Sequence, residues 1–460
     1  MSFFKAYDMR GTFGKDFDLD TVYRIGRWMP SVLGAENFLI GRDMRLSSEA
    51  MRNALCDGLT EAGANVDDMG ICTTPMVYFF TAEKKYGASV QITASHNPAG
   101  DNGMKVSGRN AIPVGGETGL GLIQERVATG KLLEPAPKRG KVRKVDFLDE
   151  YIGWMKQRGL NFSGVNFAVD CSNGASCILA RRLFETGDDL FSRRTLFLNE
   201  TLDGSFPGHE PNPLLDSART QIAQTVRENG LDCGLIFDGD ADRVMFVDEN
   251  GAFVQPDYLI PKIAEGFLAG EPGATVIHDI RTSRGAIEAL RQAGAKTIMG
   301  KVGHAFAKLL LRDSGAVCGG ELAGHYYFRE FFNCDSGVLA ALHVLDAFAR
   351  AKEKGTSFSR WMAPVMKYPT TGERNFTVED KEAAVEAAKD KLVEQFGAPE
   401  SCADFDGVRL EYGNGWVNIR RSNTEPYLRV IAEGKDETER DKLFDTVVGA
   451  ITPYLRNENA

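Results

Sequence analysis

Apolar positions along the chain come in two alternating patterns: bursts at helical spacing, and brief runs of small or β-branched residues that read as strands. LDTVYRIGRWM (19–29) has helical spacing and NFLIGRD (37–43) reads as a strand. SSEAMRNALCDGLTEAG (47–63) opens with a serine cap and puts Met51, Leu55 and Leu59 on one face. A short strand over 65–69, a helix over 75–84 with proline in its first turn, and a buried strand over 88–92 complete a first unit. The stretch 131–144, rich in Lys, Arg, Pro and Gly, reads as a linker near residue 140.

The alternation returns with a strand in VNFAVDCSNG (165–174), a helix over about 175–186 and the strand TLFLNE (195–200). A rigid, proline-rich loop, DGSFPGHEPNP (203–213), and the helix SARTQIAQTVREN (217–229) follow, then two strands flanking an acidic loop in 232–251. A third unit has strands ATVIHDI (274–280) and AKTIMG (295–300) with a helix between them. It continues with an amphipathic helix over 302–315 ended by Gly315, a strand–glycine loop–aromatic strand over 316–328, and a helix over 336–354. After residue 360 come a helix rich in alanine and charge (381–396), three closely spaced strands, VRLEY, WVNIR and YLRVIAEG, and a last helix over 435–454.

Repeated βα units predict helices on both faces of a mainly parallel sheet, whereas strands this close together favour hairpins. The expected fold is three similar α/β domains with mainly parallel or mixed sheets and a C-terminal α+β domain around a central cleft. The expected boundaries are 1–140, 141–251, 252–362 and 363–460. A net charge of -10 over 460 residues argues against a broad nucleic-acid surface and leaves room for a small phosphate ligand gripped by a few arginines. No apolar run approaches the roughly 18 residues needed to cross a bilayer, and no signal peptide is visible. Eight scattered cysteines without a CxxC pair read as reduced thiols of a cytoplasmic protein and make a zinc site unexpected.

Four loops carry candidate chemistry. In TASHNP (93–98) a buried strand ends in an exposed polar loop, where Ser95 beside His96 is either a nucleophile or a turn-former. In DGDADR (238–243), Asp238, Asp240 and Asp242 at alternate positions after a strand can converge on a hard divalent cation, Mg²⁺ if a phosphate adds an oxygen. An aspartyl phosphatase nucleophile and an acidic surface turn are the rival readings. GELAGH (320–325) offers Glu321 and His325 with little bulk between them, suited to sugar hydroxyls or to a tight turn. RRSNTEP (420–426), followed by Arg429, groups guanidinium, hydroxyl and N–H donors into an anion nest or a charged surface turn.

These four loops, in this order, together with AYDMRG (6–11) and KVGH (301–304), resemble the α-D-phosphohexomutase family over nearly the whole chain, with the flavour of its bacterial phosphomannomutases. The resemblance implies reversible phosphoryl transfer between mannose 6-phosphate and mannose 1-phosphate through a phosphoserine and a hexose 1,6-bisphosphate. Glucose phosphates are possible further substrates. Phosphoglucomutase, phosphoglucosamine mutase and a metal-dependent sugar phosphatase are the alternatives. It implies that Ser95 carries the phosphate, that Asp238, Asp240, Asp242 and a Ser95 phosphate oxygen hold Mg²⁺, and that Arg243 lies against the phosphoserine. Lys105, His96, Arg10 and His325 are the implied catalytic set, with Lys105 the leading general acid/base. Tyr7, Arg281, His304, Glu321, Arg420, Ser422, Asn423, Thr424 and Arg429 are the implied substrate contacts. Ala323 departs from a serine common in the family's sugar loop. A phosphosugar is the expected partner, with no nucleic acid or membrane, for a monomer or weak homo-oligomer. Because a bisphosphate must turn over within the cleft, the C-terminal domain is expected to hinge near residues 360–370.

Overall fold

The computed structural model describes residues 3–185, 195–422 and 427–456. Its strands form four sheets. The first runs, in spatial order, Met9–Thr12, Asp101–Gly108, Ala88–Ile92, Asn37–Arg42, Asn65–Ile71 and Val142–Lys144. Its last four strands are parallel and its first two antiparallel. In the second sheet Cys233–Phe237, Phe167–Asp170 and Thr195–Leu198 are parallel, and Val244–Asp248 returns antiparallel. In the third, Lys296–Gly300, Thr275–Asp279 and Cys318–Gly320 are parallel, and Tyr326–Phe328 returns antiparallel. The fourth is wholly antiparallel, as closely spaced strands dictate.

One topological position recurs. In each mixed sheet a short parallel strand turns into its antiparallel neighbour, and the turn is one of the loops singled out above: after Ile92, after Phe237 and after Gly320. Each turn contains a left-handed residue: Ser95 at φ 52°, Ala241 at φ 60° and Gly324 at φ 88°. Only the last is glycine, so the first two loops hold a conformation that costs about 1–2 kcal/mol for an L-residue. Loops at carboxyl ends of parallel strands are where α/β proteins place ligands.

The three α/β units share one large apolar cluster. Its centre is the helix Thr74–Glu83, buried from Thr74 through Ala82, which is why its sequence lacks a polar face. Phe79 packs on Tyr151, Trp154 and Phe331 with ring centroids 5.6, 5.0 and 5.5 Å away, so aromatic contacts join the units. The C-terminal unit has its own cluster, built from Val385, Leu392, Val417, Val430, Leu443 and their neighbours. It meets the third unit through one small apolar contact, Leu322 with Trp416 and Ile431, and through polar ones: Arg409 donates to the carbonyls of Ile280 and Thr282 at 2.7 Å, and Arg284 to Glu411 at 2.7 Å.

Three local expectations differ from the structure, and one strand was not anticipated. The stretch 131–144 is pinned down: Gly140 N donates to Thr60 O at 2.8 Å, and Val142–Lys144 pairs with Asn65–Ile71 as the edge of the first sheet. Residues 101–103 belong to the strand Asp101–Gly108, where Gly103 admits the neighbouring backbone: a Cβ there would meet Met9 O at 2.1 Å. The helix over 175–186 is a 3-10 turn, Ala175–Ile178, and one helical turn, Ala180–Phe184, parted at Leu179, whose φ is -130°; residue 186 lies outside the described residues. Ser47 does not cap the helix Ser48–Glu61, because its hydroxyl accepts from Asn102 at 2.8 Å instead.

Candidate active site

The Ser95 loop is buried only at its start, where Ser95 is 1% exposed; His96 and Asn97 are half-buried and the loop is exposed from Pro98 on. Arg45, at the end of an adjacent parallel strand, fixes it by donating to the carbonyls of Ser95, Asn97, Pro98 and Asp101 at 2.6–2.9 Å. Gly239 sits against the other side, where a Cβ would meet Ser95 O at 2.5 Å. Thus held, Ser95 Oγ donates to Asp238 Oδ2 at 2.8 Å, lies 3.3 Å from His96 Nδ1 and accepts from Arg243 Nη2 at 3.4 Å. Arg243 also contacts the His96 ring nitrogen. Burial and the Arg243 and Arg10 charges hold His96 well below the usual imidazole range, so it is neutral.

Asp238, Asp240 and Asp242 are fully buried, with one oxygen of each within 4.8 Å of the others. Asp240 is seated at the start of the buried helix, accepting from Thr74 Oγ1 at 2.5 Å, where the helix dipole favours negative charge. Lys105 Nζ donates to Asp240 at 2.7 Å and Asp242 at 2.5 Å. Burial opposes the ammonium, but Asp240 and Asp242 outweigh it and push Lys105 above its ordinary value. Burial and the two neighbouring aspartates push Asp238 well up. Oδ1 of Asp240 and Oδ1 of Asp242 are buried without a hydrogen-bond partner. Hard oxygen donors, crowded and left unsatisfied, fit a divalent cation such as Mg²⁺.

Backbone contacts join the metal-type loop to the glycine-rich one, with Val244 N donating to Gly324 O at 3.3 Å. Glu321 is buried and accepts from Gly303 N at 2.8 Å; burial pushes its carboxyl up. Burial and Lys308 hold His304 down at about 3. His325 Nδ1 lies 2.8 Å from Asp335, whose other oxygen pairs with the Lys308 ammonium at 2.8 Å. Arg10 donates to Asn97 at 2.9 Å and Asp8 at 2.7 Å.

A cavity of about 330 Å³ opens between these groups. Among its lining residues are Tyr7, Arg10, Ser95, His96, Lys105, Arg243, Arg281, His304, Glu321, Ala323, His325, Arg420 and Arg429. Arg281, from the third unit, and Arg420 and Arg429, from the fourth sheet, gather around Glu373 at 3.4, 3.6 and 3.8 Å. Ser422 N donates to Tyr427 O at 2.9 Å, placing Ser422 on the hairpin beside Arg420. Asn423 and Thr424 lie outside the described residues. Sequence reasoning missed Arg45, Asp335, Lys308 and Glu373. An arginine just past the strand ending GRD was a findable signal for the first; Glu373 follows a connector with no periodicity to mark it.

Family models match the chain in four consecutive blocks. The descriptions are phosphoglucomutase/phosphomannomutase alpha/beta/alpha domain I over 1–133, domain II over 146–251, domain III over 255–368, and C-terminal domain over 373–450. A phosphomannomutase of Vibrio cholerae is 36% identical, with 94% of each chain covered, and a Xanthomonas campestris protein named phosphohexose mutases is 35% identical, covering 98% of this chain and 99% of its own. The structure of a phosphoglucomutase/phosphomannomutase family protein from Burkholderia thailandensis superposes with a TM-score of 0.87 at 28% identity, over 98% of this chain and 97% of that one. With four domain types in sequence order and relatives above 30% identity along nearly the whole length, this chain belongs to the phosphoglucomutase/phosphomannomutase family.

Proposed function

We propose that the protein interconverts mannose 6-phosphate and mannose 1-phosphate, carrying the transferable phosphoryl group on Ser95. The carrying observation is that Ser95 Oγ, 2.8 Å from an aspartate of the acidic trio, lines the same cavity as three arginines suited to a second phosphate. A phosphosugar bisphosphate needs two such ends, one reactive and one gripping. The phosphomannomutase names of relatives at 33–36% identity support mannose phosphate as the substrate.

In the forward step the P–O bond to Ser95 Oγ breaks as a P–O bond forms to the free O1 or O6 of the bound monophosphate. The hydroxyl proton leaves to a base. Lys105, held protonated between two aspartates, is a charge-balancing donor and not that base. His325 fits the role: Asp335 engages its Nδ1, leaving Nε2 as the nitrogen available to accept a proton. Arg243 and His96 orient the serine oxygen, and Arg10 braces the same loop at Asn97. Glu321 accepts from sugar hydroxyls, with neutral His304 beside it. Arg281, Arg420 and Arg429 hold the phosphate that stays. Asp238, Asp240 and Asp242, with a Ser95 phosphate oxygen, would hold Mg²⁺, which when bound draws charge from the phosphoserine and makes Ser95 a better leaving group. The 1,6-bisphosphate then turns and returns its other phosphoryl group to Ser95. The C-terminal unit, joined to the third by hydrogen bonds and ion pairs around one small apolar contact, relaxes during that turn.

Turnover of mannose 1-phosphate, with a trace of glucose 1,6-bisphosphate as primer, tests the reading against glucose 1-phosphate and glucosamine 1-phosphate. Ser95→Ala is expected to lose at least about 10³-fold in kcat, and one phosphate per chain should vanish from the intact mass. A variant that still releases phosphate from sugar phosphates would instead identify an aspartyl phosphatase.

A further inference from the structure

Arg420 and Arg429 are direct partners on adjacent antiparallel strands. Like charges at such positions repel, and here Arg281 of the third unit adds a third guanidinium. The arrangement calls for an anion, and the chain supplies one: Glu373, four residues after Pro369 and immediately before the strand Arg374–Thr377. Its geometry is unlike that of Arg281 with its own neighbour Asp279. Arg281 meets Asp279 at 2.6 Å, whereas Glu373 meets each of the three arginines at no less than 3.4 Å. It lies among all three without a bidentate bond to any. Burial raises its carboxyl, but Arg281, Arg420 and Arg429 outweigh that and hold it ionised at neutral pH.

We propose that Glu373 is an internal anion of the phosphate-gripping end, standing in for phosphate among Arg281, Arg420 and Arg429 and competing with it. The proposal rests on the reading of these arginines as the site of the phosphate that is not transferred. A dianionic phosphate entering the cluster meets both three attractive guanidinium groups and one repulsive carboxylate, so its grip is limited. A limited grip is useful to an enzyme whose bisphosphate must let go and turn, because tight ground-state binding lowers KM without speeding the reaction. Glu373 also bridges the third unit, through Arg281, to the C-terminal unit, through Arg420 and Arg429. The cluster therefore keeps part of its positive charge offset when phosphate has left.

The test measures binding of inorganic phosphate to the full-length protein by calorimetry, beside steady-state kinetics. Glu373→Gln is expected to tighten the phosphate Kd roughly tenfold, and to lower KM and kcat together, because the bisphosphate is released more slowly. Glu386→Gln, an exposed carboxylate on the helix Lys381–Phe396, is the charge control and should leave the phosphate Kd unchanged. If Glu373→Gln fails to fold, Glu373→Asp carries the test: it keeps the charge and withdraws it by one methylene, with tightening of roughly threefold expected. A Kd equal to or weaker than the wild type's in whichever folded variant is measured overturns the proposal. The two readings fail differently. If wild type does not bind phosphate in a way that Arg420→Ala removes, the phosphate-site reading is wrong; if it does, but Glu373 variants bind no tighter, only the internal-anion proposal is wrong.

Discussion

The two ends of the cleft are built to different tolerances. At the Ser95 end, Lys105, the aspartates and the serine meet at 2.5–2.8 Å among side chains no more than 5% exposed. At the arginine end, the contacts to Glu373 are 3.4–3.8 Å and the Arg429 side chain is 28% exposed. Phosphoryl transfer depends on fixed geometry and prearranged charge, which a dry, tight network provides. Holding a phosphate through one half-reaction and releasing it for the next calls for charge without rigid partners. On the function proposed above, the contrast fits chemistry at one end and a reversible grip at the other.

The largest expected effect comes from loosening the tight end. Lys105→Ala strands two buried carboxylates and is expected to destabilise the fold by about 3–5 kcal/mol. It should also lower kcat on the order of 100-fold; thermal melts and initial rates measure the two. A variant with full activity and an unchanged Tm would remove the distinction between the ends. At the other end, Arg420→Ala is expected to raise KM for the monophosphate about 10- to 100-fold while changing kcat less, since one charge-assisted contact is lost. A collapse of kcat at constant KM would place this arginine in the chemistry instead.

The smallest effect concerns pH and the joint behind the arginine end. Asp257 is buried there, accepting from Ser283 N at 2.7 Å, and burial reinforced by Glu433 and Asp279 pushes its carboxyl up to about 7. Its folded value lies above its unfolded one, so its stabilising contribution is complete below about pH 4 and is lost as pH rises through 7. Asp257→Asn should flatten the decline in Tm between pH 5 and pH 8, a change on the order of 3 kcal/mol across the window at most. Unchanged pH dependence in that variant would detach the joint from this group.

Legibility in the sequence followed the same physical lines. The reactive loops were readable because each interrupts a buried strand with polar and small residues, a local contrast that needs no tertiary information. The strand Asp101–Gly108 was not, because its Asp, Asn and Gly residues are poor strand formers and its pairing is set by Met9–Thr12 far away in sequence. The edge strand Val142–Lys144 is exposed and two of its three residues are charged, so little in its composition separates it from a linker. Asp335 and Lys308 acquire meaning only by facing His325 across the third unit. Ser95, the three aspartates, Glu321 and Arg420 were legible as chemistry, whereas the groups that orient or balance them required the fold.

The way the units are joined bears on how the molecule comes apart. Phe79, Tyr151 and Phe331 knit the first three units into one apolar mass, while the fourth keeps a separate interior and touches the third mainly through arginines and carboxylates around the small Leu322–Trp416–Ile431 contact. Heat or denaturant should therefore dissolve the C-terminal unit in its own cooperative step, leaving the α/β triplet folded with the Ser95 loop intact.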